Sequence, residues 1–449
     1  MNSFKLNNTK GITLVALVVT IIVLIILAGI SISLVLGNNG IITKAKDARN
    51  NYIKSANEEQ SKLDNLYEEM NEQISKINEG EDIKKKGIES FWPEDNSTKP
   101  YLPDKTKFHI SEKEQSLDEG LIIVDNNDNE YVWIEVPKTI SVYGNQEILN
   151  YELDKMTQTE LTTALTEIEN ALHTYVNPYR EGLSNNDNYN SAMGALGNIT
   201  GKDSYDFYKN KMIKSIFDNG GFWVGRYEAG MDDFVTENRV SVNNIVPLTK
   251  ANKYPVNFVT CSQAQILASN AESGEYTSSL MFGIQWDLML KFIEEAKVRV
   301  EDSTKQEAVR TEIQSILKND SKSIGNYYPS SYKITDTEVS YSTNKGQSYN
   351  KVTLDTFIDH TVNKAILLTT GAKTTNDSNT NFQVQNLNDI AGNIWEWTIE
   401  YSANTSDPCV LRGGNYYDGG NGSYIPASGR FRCVSSNSNE GVGFRITIY

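Results

Sequence analysis

Histidine and cysteine are both scarce, with three of each in 449 residues. Cys261, Cys409 and Cys433 show no metal-ligand spacing, and His109, His173 and His360 stand apart from them, so zinc chemistry has no support. Positive charge is also in deficit. Lys plus Arg number 42 against 58 Asp plus Glu, and the net charge of -16 repels nucleic-acid phosphate and argues for a solvated exterior. No nucleic-acid partner is expected. The chain offers no Ser-His-Asp order, metal cluster or phosphate loop. Its length is too great for one ordinary core, so at least two structural units are expected.

What is present begins at the N-terminus. From Ile12 to Leu36 the chain reads ITLVALVVTIIVLIILAGISISLVL, an uncharged run long enough to cross a bilayer as a helix. A polar leader ends at TKG before that run, the reverse of a secretory signal with a small-residue cleavage site after it. The order points to cleavage between Lys10 and Gly11 or just after Gly11. These residues resemble the class III leader of type IV prepilins and pseudopilins, which implies a prepilin peptidase and pilin subunits as partners. Those families carry Glu at the fifth mature position, where this chain has Ala16. A plain signal anchor with Lys5 and Lys10 held inside explains the same charges. Either reading puts the residues after Gly37 on the extracellular face of a bacterial membrane.

Residues 37–80 carry apolar side chains at Ile53, Ala56, Leu63, Leu66, Met70 and Ile77, steps that predict a helical stalk with a weak coiled-coil seam. Turn formers and charges over 81–117 read as a linker or short docking arm, and the globular domain is expected over 118–449. LIIVDNNDNEYVWIEVP predicts a hairpin, GGFWVGRYEAG a short strand, and YPVNFVTCSQAQILA a strand running into a helix with Ser262 as N-cap. FGIQWDLMLKFIEEA predicts a second helix with Trp286, Leu290 and Ile293 on one face. Residues 151–218 and 296–360 are polar, helix- and loop-like, and read as insertions. The expected fold class is α+β: a long N-terminal transmembrane and stalk helix, then a domain of small antiparallel sheets, two helices and much irregular loop.

GFWVGRYEAG, YPVNFVT, IQWDLMLKF, DIAGNIWEWT, VLRGGNYY and the terminal GFRI occur in the order seen in formylglycine-generating-enzyme-like, or sulfatase-modifying-factor, domains, which the chain resembles over most of Leu121 to Tyr449. The resemblance implies a C-type-lectin-like fold. Trp395 and Trp397 fall on the same side of a strand and are expected to pack into the core. Asp389 and Glu396, acids beside that aromatic strand, need a cation or donors to offset desolvation. The resemblance implies a calcium ion held by Asp389, Gly392, Ile394 and Glu396. The competing readings are a salt bridge from Glu396 to Arg412 or Arg445 and an Asx-type turn at Asp389.

In the enzymes of that family a reactive cysteine pair follows RGG and binds copper. No cysteine lies between Gly413 and Arg432 here, and a lone Cys433 cannot supply two sulfurs to copper(I). No copper and no formylglycine-generating activity are therefore expected. Cys409 and Cys433 are expected either as a disulfide or as two buried thiols.

Between Gly413 and Gly443 the chain is rich in Asn, Tyr, Ser, Asp and Gly, the chemistry of antibody contact loops. Variable proteins of diversity-generating retroelements are similar in fold and in placing diversified residues between RGG and the terminal GFR. Contact with an unknown protein or glycan ligand is expected from Tyr416, Tyr417, Asp418, Asn421, Ser423, Tyr424, Ser435, Asn437 and Asn439, with Arg412, Gly413, Gly414, Phe444 and Arg445 as scaffold. The alternative is an exposed loop whose polarity only keeps it soluble. Three roles are consistent with these residues: a surface-displayed adhesin or receptor-binding module, an exported enzyme of unrecognised chemistry, and a minor pilin or pseudopilin at a tip.

Overall fold

The computed structural model describes residues 18–27, 44, 87–180, 187–272, 274–353, 356–375, 382–419 and 426–449. The chain divides into two compact units, Met1–Lys85 and Lys86–Tyr449. In the first, residues 18–27 are helical and exposed. Among the described residues no helix is long and apolar enough to cross a membrane. The long N-terminal helix expected over 12–80 is therefore not supported as a whole, since most of it, with the leader residues Lys10 and Gly11, lies outside the described residues.

The second unit is α+β, with small, mostly antiparallel sheets. Its main strands are β1 (Phe108–Ile110), β2 (Ile122–Asp125), β3 (Glu130–Glu135), β4 (Gly221–Gly225), β5 (Ser278–Leu280), β6 (Trp395–Tyr401), β7 (Cys409–Arg412), β8 (Arg430–Cys433), β9 (Val442–Phe444) and β10 (Ile446–Ile448). Six form an antiparallel sheet in the order β1-β2-β3-β4-β10-β5, and four form a second sheet in the order β8-β7-β6-β9. The expected hairpin is β2 with β3, and Asp128 at φ 59° supplies the left-handed residue in its turn. The C-terminal strand β10 lies between β4 and β5, so the chain end closes the large sheet.

Among the described residues this unit has five longer helices: α1 (Gln158–Tyr175), α2 (Lys202–Asn219), α3 (Cys261–Ala271), α4 (Gly283–Arg299) and α5 (Gln306–Lys318). Only α3 and α4 match the two expected from sequence. The others lie in the stretches read as insertions, where a narrow apolar face is hidden in polar sequence. In α1 that face is Ala164, Leu165, Ile168 and Leu172, all buried, and Thr157 with Glu160 forms a capping box at its start. The N-cap of α3 is Thr260, which exchanges hydrogen bonds with Gln263; Ser262, the expected cap, instead accepts from the Gly197 amide at 3.1 Å. Between both sheets, α4 buries Trp286, Leu290 and Ile293 and packs on β3 and β6. A smaller, separate core is built around Tyr332, Ile334, Ile358, Leu368 and Phe382.

The segment 87–117, expected to be part of a linker, lies within the compact unit. Thr98 donates to the Gly220 carbonyl at 2.8 Å and accepts from the Trp133 indole at 3.0 Å, Tyr101 accepts from the Trp223 indole at 2.9 Å, and β1 extends the large sheet.

Gly392 shows how tightly the elements converge. Its φ is +70°, and a Cβ there would sit 2.3 Å from the Asn326 carbonyl oxygen. Gly392→Ala is expected to destabilise the domain by about 2 kcal/mol or more, read as a lower denaturant midpoint with an unchanged slope. A midpoint equal to wild type would count against this packing.

Candidate functional site

The stretch LNDIAGNIWEW enters β6 through a turn that three positive-φ residues make possible, Asp389 (56°), Gly392 (70°) and Asn393 (54°). Asn393 is its hub. The Asn393 side-chain oxygen accepts from the Leu368 amide and the Asn326 side chain, both at 3.1 Å, while its nitrogen donates to Glu228 at 2.7 Å. Glu228 also accepts from the Ile394 amide at 3.1 Å, and Asp389 accepts from the Gly371 amide at 2.6 Å. Trp395 and Trp397 are both buried, as expected, with the Trp397 indole donating to Val259 at 3.0 Å.

Glu396 is held by Arg445, which donates from Nη2 at 2.7 Å and from Nε at 3.1 Å. The same guanidinium reaches the carbonyls of Gly225 and Asn388 at 2.9 and 2.8 Å. Of the two cations proposed for Glu396, the partner is thus Arg445; Arg412 pairs instead with Asp287 and Glu400 at 2.6 and 2.7 Å. The expected calcium ligands Asp389, Gly392, Ile394 and Glu396 do stand close in sequence and space. As arranged they do not fit calcium, which takes six or more oxygens, because both Glu396 oxygens face a guanidinium and the Asp389 carboxylate holds an amide. Among the described residues, no group of three or more His, Cys, Asp or Glu is placed to hold a metal ion.

One guanidinium stands among three buried acids. Burial pushes the Asp389 carboxyl up to about 7, against the Gly371 amide and Arg445. Burial and then the charges of Asp389 and Glu396 hold Glu228 well above the usual carboxylate range, and burial raises Glu396 despite Arg445.

The segment after β7 behaves as scaffold where that was expected. Arg412, Phe444 and Arg445 are buried, and Gly413 and Gly414 adopt φ of +88° and +78°. The Gly413 carbonyl accepts from the Tyr327 hydroxyl and from the Gly392 amide, which ties the RGG backbone to the turn.

The expected contact residues divide. Tyr416 is a correction: only 1% exposed, it packs with Leu367, Ile394 and Tyr349 in a small core, and its amide donates to Asn393. Tyr417, its neighbour, is 40% exposed, with the Lys345 ammonium 4.3 Å from the centre of its ring. Asp418 is half-buried and closes its own turn by accepting from the Asn415 amide at 3.0 Å. Ser435, Asn437 and Asn439 are half-buried as well. The Ser435 carbonyl accepts from Cys261, and Asn439 bonds both Asn437 and the Gly441 amide, so these three shape a loop more than they cover it. Asn421, Ser423 and Tyr424 lie outside the described residues.

Sequence reasoning missed the other half of this surface. Phe234, Tyr254 and Tyr349 form a triangle of rings with centroids 4.7 to 5.2 Å apart. Tyr349 joins that triangle to Tyr416, whose ring centre lies 5.5 Å from that of Tyr417, and Lys345 stands over Tyr417 and pairs with Glu440 at 3.5 Å. Phe234, Tyr254, Tyr349, Tyr416 and Tyr417 therefore form one run of aromatic contacts, with Lys345 over its Tyr417 end. The one available signal was a lone tyrosine in KGQSYNK, within a polar stretch read as an insertion.

Cys409 and Cys433 are direct cross-strand partners in β7 and β8, yet both are free thiols, as is Cys261. The disulfide alternative is thus not what the structure contains. All three are buried, and burial pushes the Cys433 thiol up to about 12, which suppresses the thiolate that disulfide exchange needs.

No family model, curated protein or solved structure matches the chain.

Two outcomes are expected. Tyr416→Ala should cost about 3 to 5 kcal/mol in denaturant unfolding and Tyr417→Ala less than about 1 kcal/mol, the difference between a filled core and a surface ring; equal costs would remove the distinction. Asp389 keeps its proton in the folded state where the unfolded chain has released it, so its contribution to stability falls as pH rises from 3.8 to about 7. Asp389→Asn should remove that part of the decline in melting temperature, and an unchanged pH profile would show that Asp389 is ionised throughout.

Proposed function

We propose that this chain is a surface-displayed ligand-binding protein, an adhesin or receptor-binding module, whose contact surface is the aromatic face around Tyr417. The observation that carries the reading is the convergence of Phe234, Tyr254, Lys345, Tyr349 and Tyr417, from three distant stretches, on a frame fixed by buried hydrogen bonds. Tyrosine and phenylalanine rings give large contact area at small entropy cost, and Phe234 and Tyr417 are exposed at 37% and 40%. In this proposal the domain has a formylglycine-generating-enzyme-like, C-type-lectin-like fold put to binding and not to oxidation, because the RGG segment lacks the cysteine pair.

The apolar run from Ile12 to Leu36, with TKG before it, supports a pilin-like membrane anchor that carries the domain outward. The Asn, Ser and Tyr content between Gly413 and Gly443 supports a face open to sequence diversification. Its partner would be a protein or glycan on another surface.

Full-length protein in bilayer nanodiscs, screened against arrays of surface proteins and glycans, is expected to bind a target that the Phe234→Ser and Tyr417→Ser double variant loses by about tenfold or more at an equal melting temperature. A target held equally by that folded variant would move the contact surface elsewhere. Thiol-to-aldehyde conversion of a cysteine peptide by the same protein would overturn the non-enzymatic reading.

A further inference from the structure

A second concave site lies in a different set of elements. An open cleft of about 1010 Å³ is lined by the arm at 93–97, the end of β3 and the turn after it, the C-terminal part of α1, and α4 with α5. That volume is at the upper end of what small-ligand sites offer, roughly 300 to 1,000 Å³. None of the residues of the Tyr417 face contributes to it.

Three features of its wall restrict the occupant. The first is charge that is already paired. Arg299 bonds Glu135 at 2.6 Å, and Lys291 and Arg310 bond Glu295 at 2.7 and 2.5 Å. A ligand with a phosphate or carboxylate group would have to displace one of these partners, so a negative charge on the ligand brings little, while Asp95 in the same wall accepts from the Ser97 amide at 2.9 Å. The second is ring surface within the same cleft, offered by Tyr175, Pro137 and Pro178, with the buried rings of Tyr143 and Phe292 also in the wall. The third is an unmet hydrogen-bonding group. Tyr143 is 2% exposed, lines the cleft, and its hydroxyl has no partner. A buried hydroxyl left without a partner costs about 1 to 3 kcal/mol, which a ligand hydroxyl would recover.

An extended peptide is disfavoured, because β3, the strand that reaches the cleft, is already paired on both edges by β2 and β4 and offers no ladder. Neutral molecules that combine many hydroxyls with apolar C–H faces meet all three conditions. Carboxylates and guanidiniums locked in pairs still accept from and donate to vicinal hydroxyls, and the aromatic rings cover C–H surfaces. We propose that the cleft bounded by Glu135, Arg299, Glu295, Tyr143 and Tyr175 binds a neutral saccharide. This site is independent of the Tyr417 face, and either can fail without the other.

The test uses full-length protein and saturation-transfer NMR with titration calorimetry. Cellobiose, maltotriose and chitobiose serve as neutral probes, with sialyllactose, glucose 6-phosphate and a neutral tripeptide as comparators. At least one neutral sugar is expected to bind at millimolar concentration or tighter, with the comparators weaker. Tyr143→Phe, which keeps the ring and removes the hydroxyl, should weaken that sugar about tenfold without lowering the melting temperature. Tyr175→Ala should weaken it further, whereas the Phe234→Ser and Tyr417→Ser double variant should bind it as wild type does. No neutral sugar bound, a charged sugar or the peptide preferred, or affinity unchanged in a folded Tyr143→Phe protein would each overturn the proposal.

Discussion

The Arg445 guanidinium gathers the Glu396 carboxylate, the Gly225 carbonyl from β4 and the Asn388 carbonyl from the loop before β6 around one buried cation. Both sheets are thereby fixed to one another through the side chain of the residue immediately before β10. Removing one partner of such a pair leaves an uncompensated charge in the interior, which costs far more than the pair itself contributes. The position of β6, and with it Trp397, follows from that penalty. Asn393 does the same work without charge, since its amide satisfies groups from three separate stretches and accepts a left-handed backbone that few other residues tolerate.

A second buried ionic group repeats the logic farther along β6, at Glu400. Asp287 of α4 receives Arg430, Arg412 and Arg180, and Glu400 receives Arg430 and Arg412. Against desolvation, the three guanidiniums hold the Asp287 carboxyl below its ordinary value. Because Arg180 follows α1, this group joins the stretch 151–218 to β7 and β8. A polar insertion is thus bound into the domain by charge pairs where its apolar face alone is narrow. Such pairs specify one arrangement of strands and helices, because a shifted register would bury the same charges unpaired.

What could be read from sequence was the part governed by local rules. Alternation and turn residues gave the β2-β3 hairpin, and the apolar runs gave β4, α3 and α4. The scaffold reading of Arg412, Gly413, Gly414, Phe444 and Arg445 rested on the resemblance carried by RGG and GFR, and Arg412, Phe444 and Arg445 are buried. The missing parts depended on distant partners. Tyr416 and Tyr417 have the same chemistry and adjacent positions, and only the arrival of Leu367 and Tyr349 from elsewhere buries one of them. The choice between a cation from solution and Arg445 at Glu396 had the same character: both satisfy the desolvated acid, and only the fold decides which is nearer. Helices α1, α2 and α5 were obscured because polar residues outnumber apolar ones along each of them.

The separation between the buried frame and the aromatic face bears on how such a surface can vary. Turn geometry near Tyr417 is set by backbone and by side chains directed inward: the Asp418 and Asn415 closure, the Asn439 bonds to its own loop, and Tyr416 seated against Ile394. A change at Tyr417 or Phe234 alters contact chemistry and leaves those bonds in place. A change at Tyr416, Asp418 or Asn439 alters the loop itself. Tolerance to substitution between Gly413 and Gly443 is therefore not uniform, and follows whether a side chain faces the turn or the solvent. The polar residues that look alike in composition have opposite duties, and a surface built this way can change what it touches only because its neighbours in sequence do not.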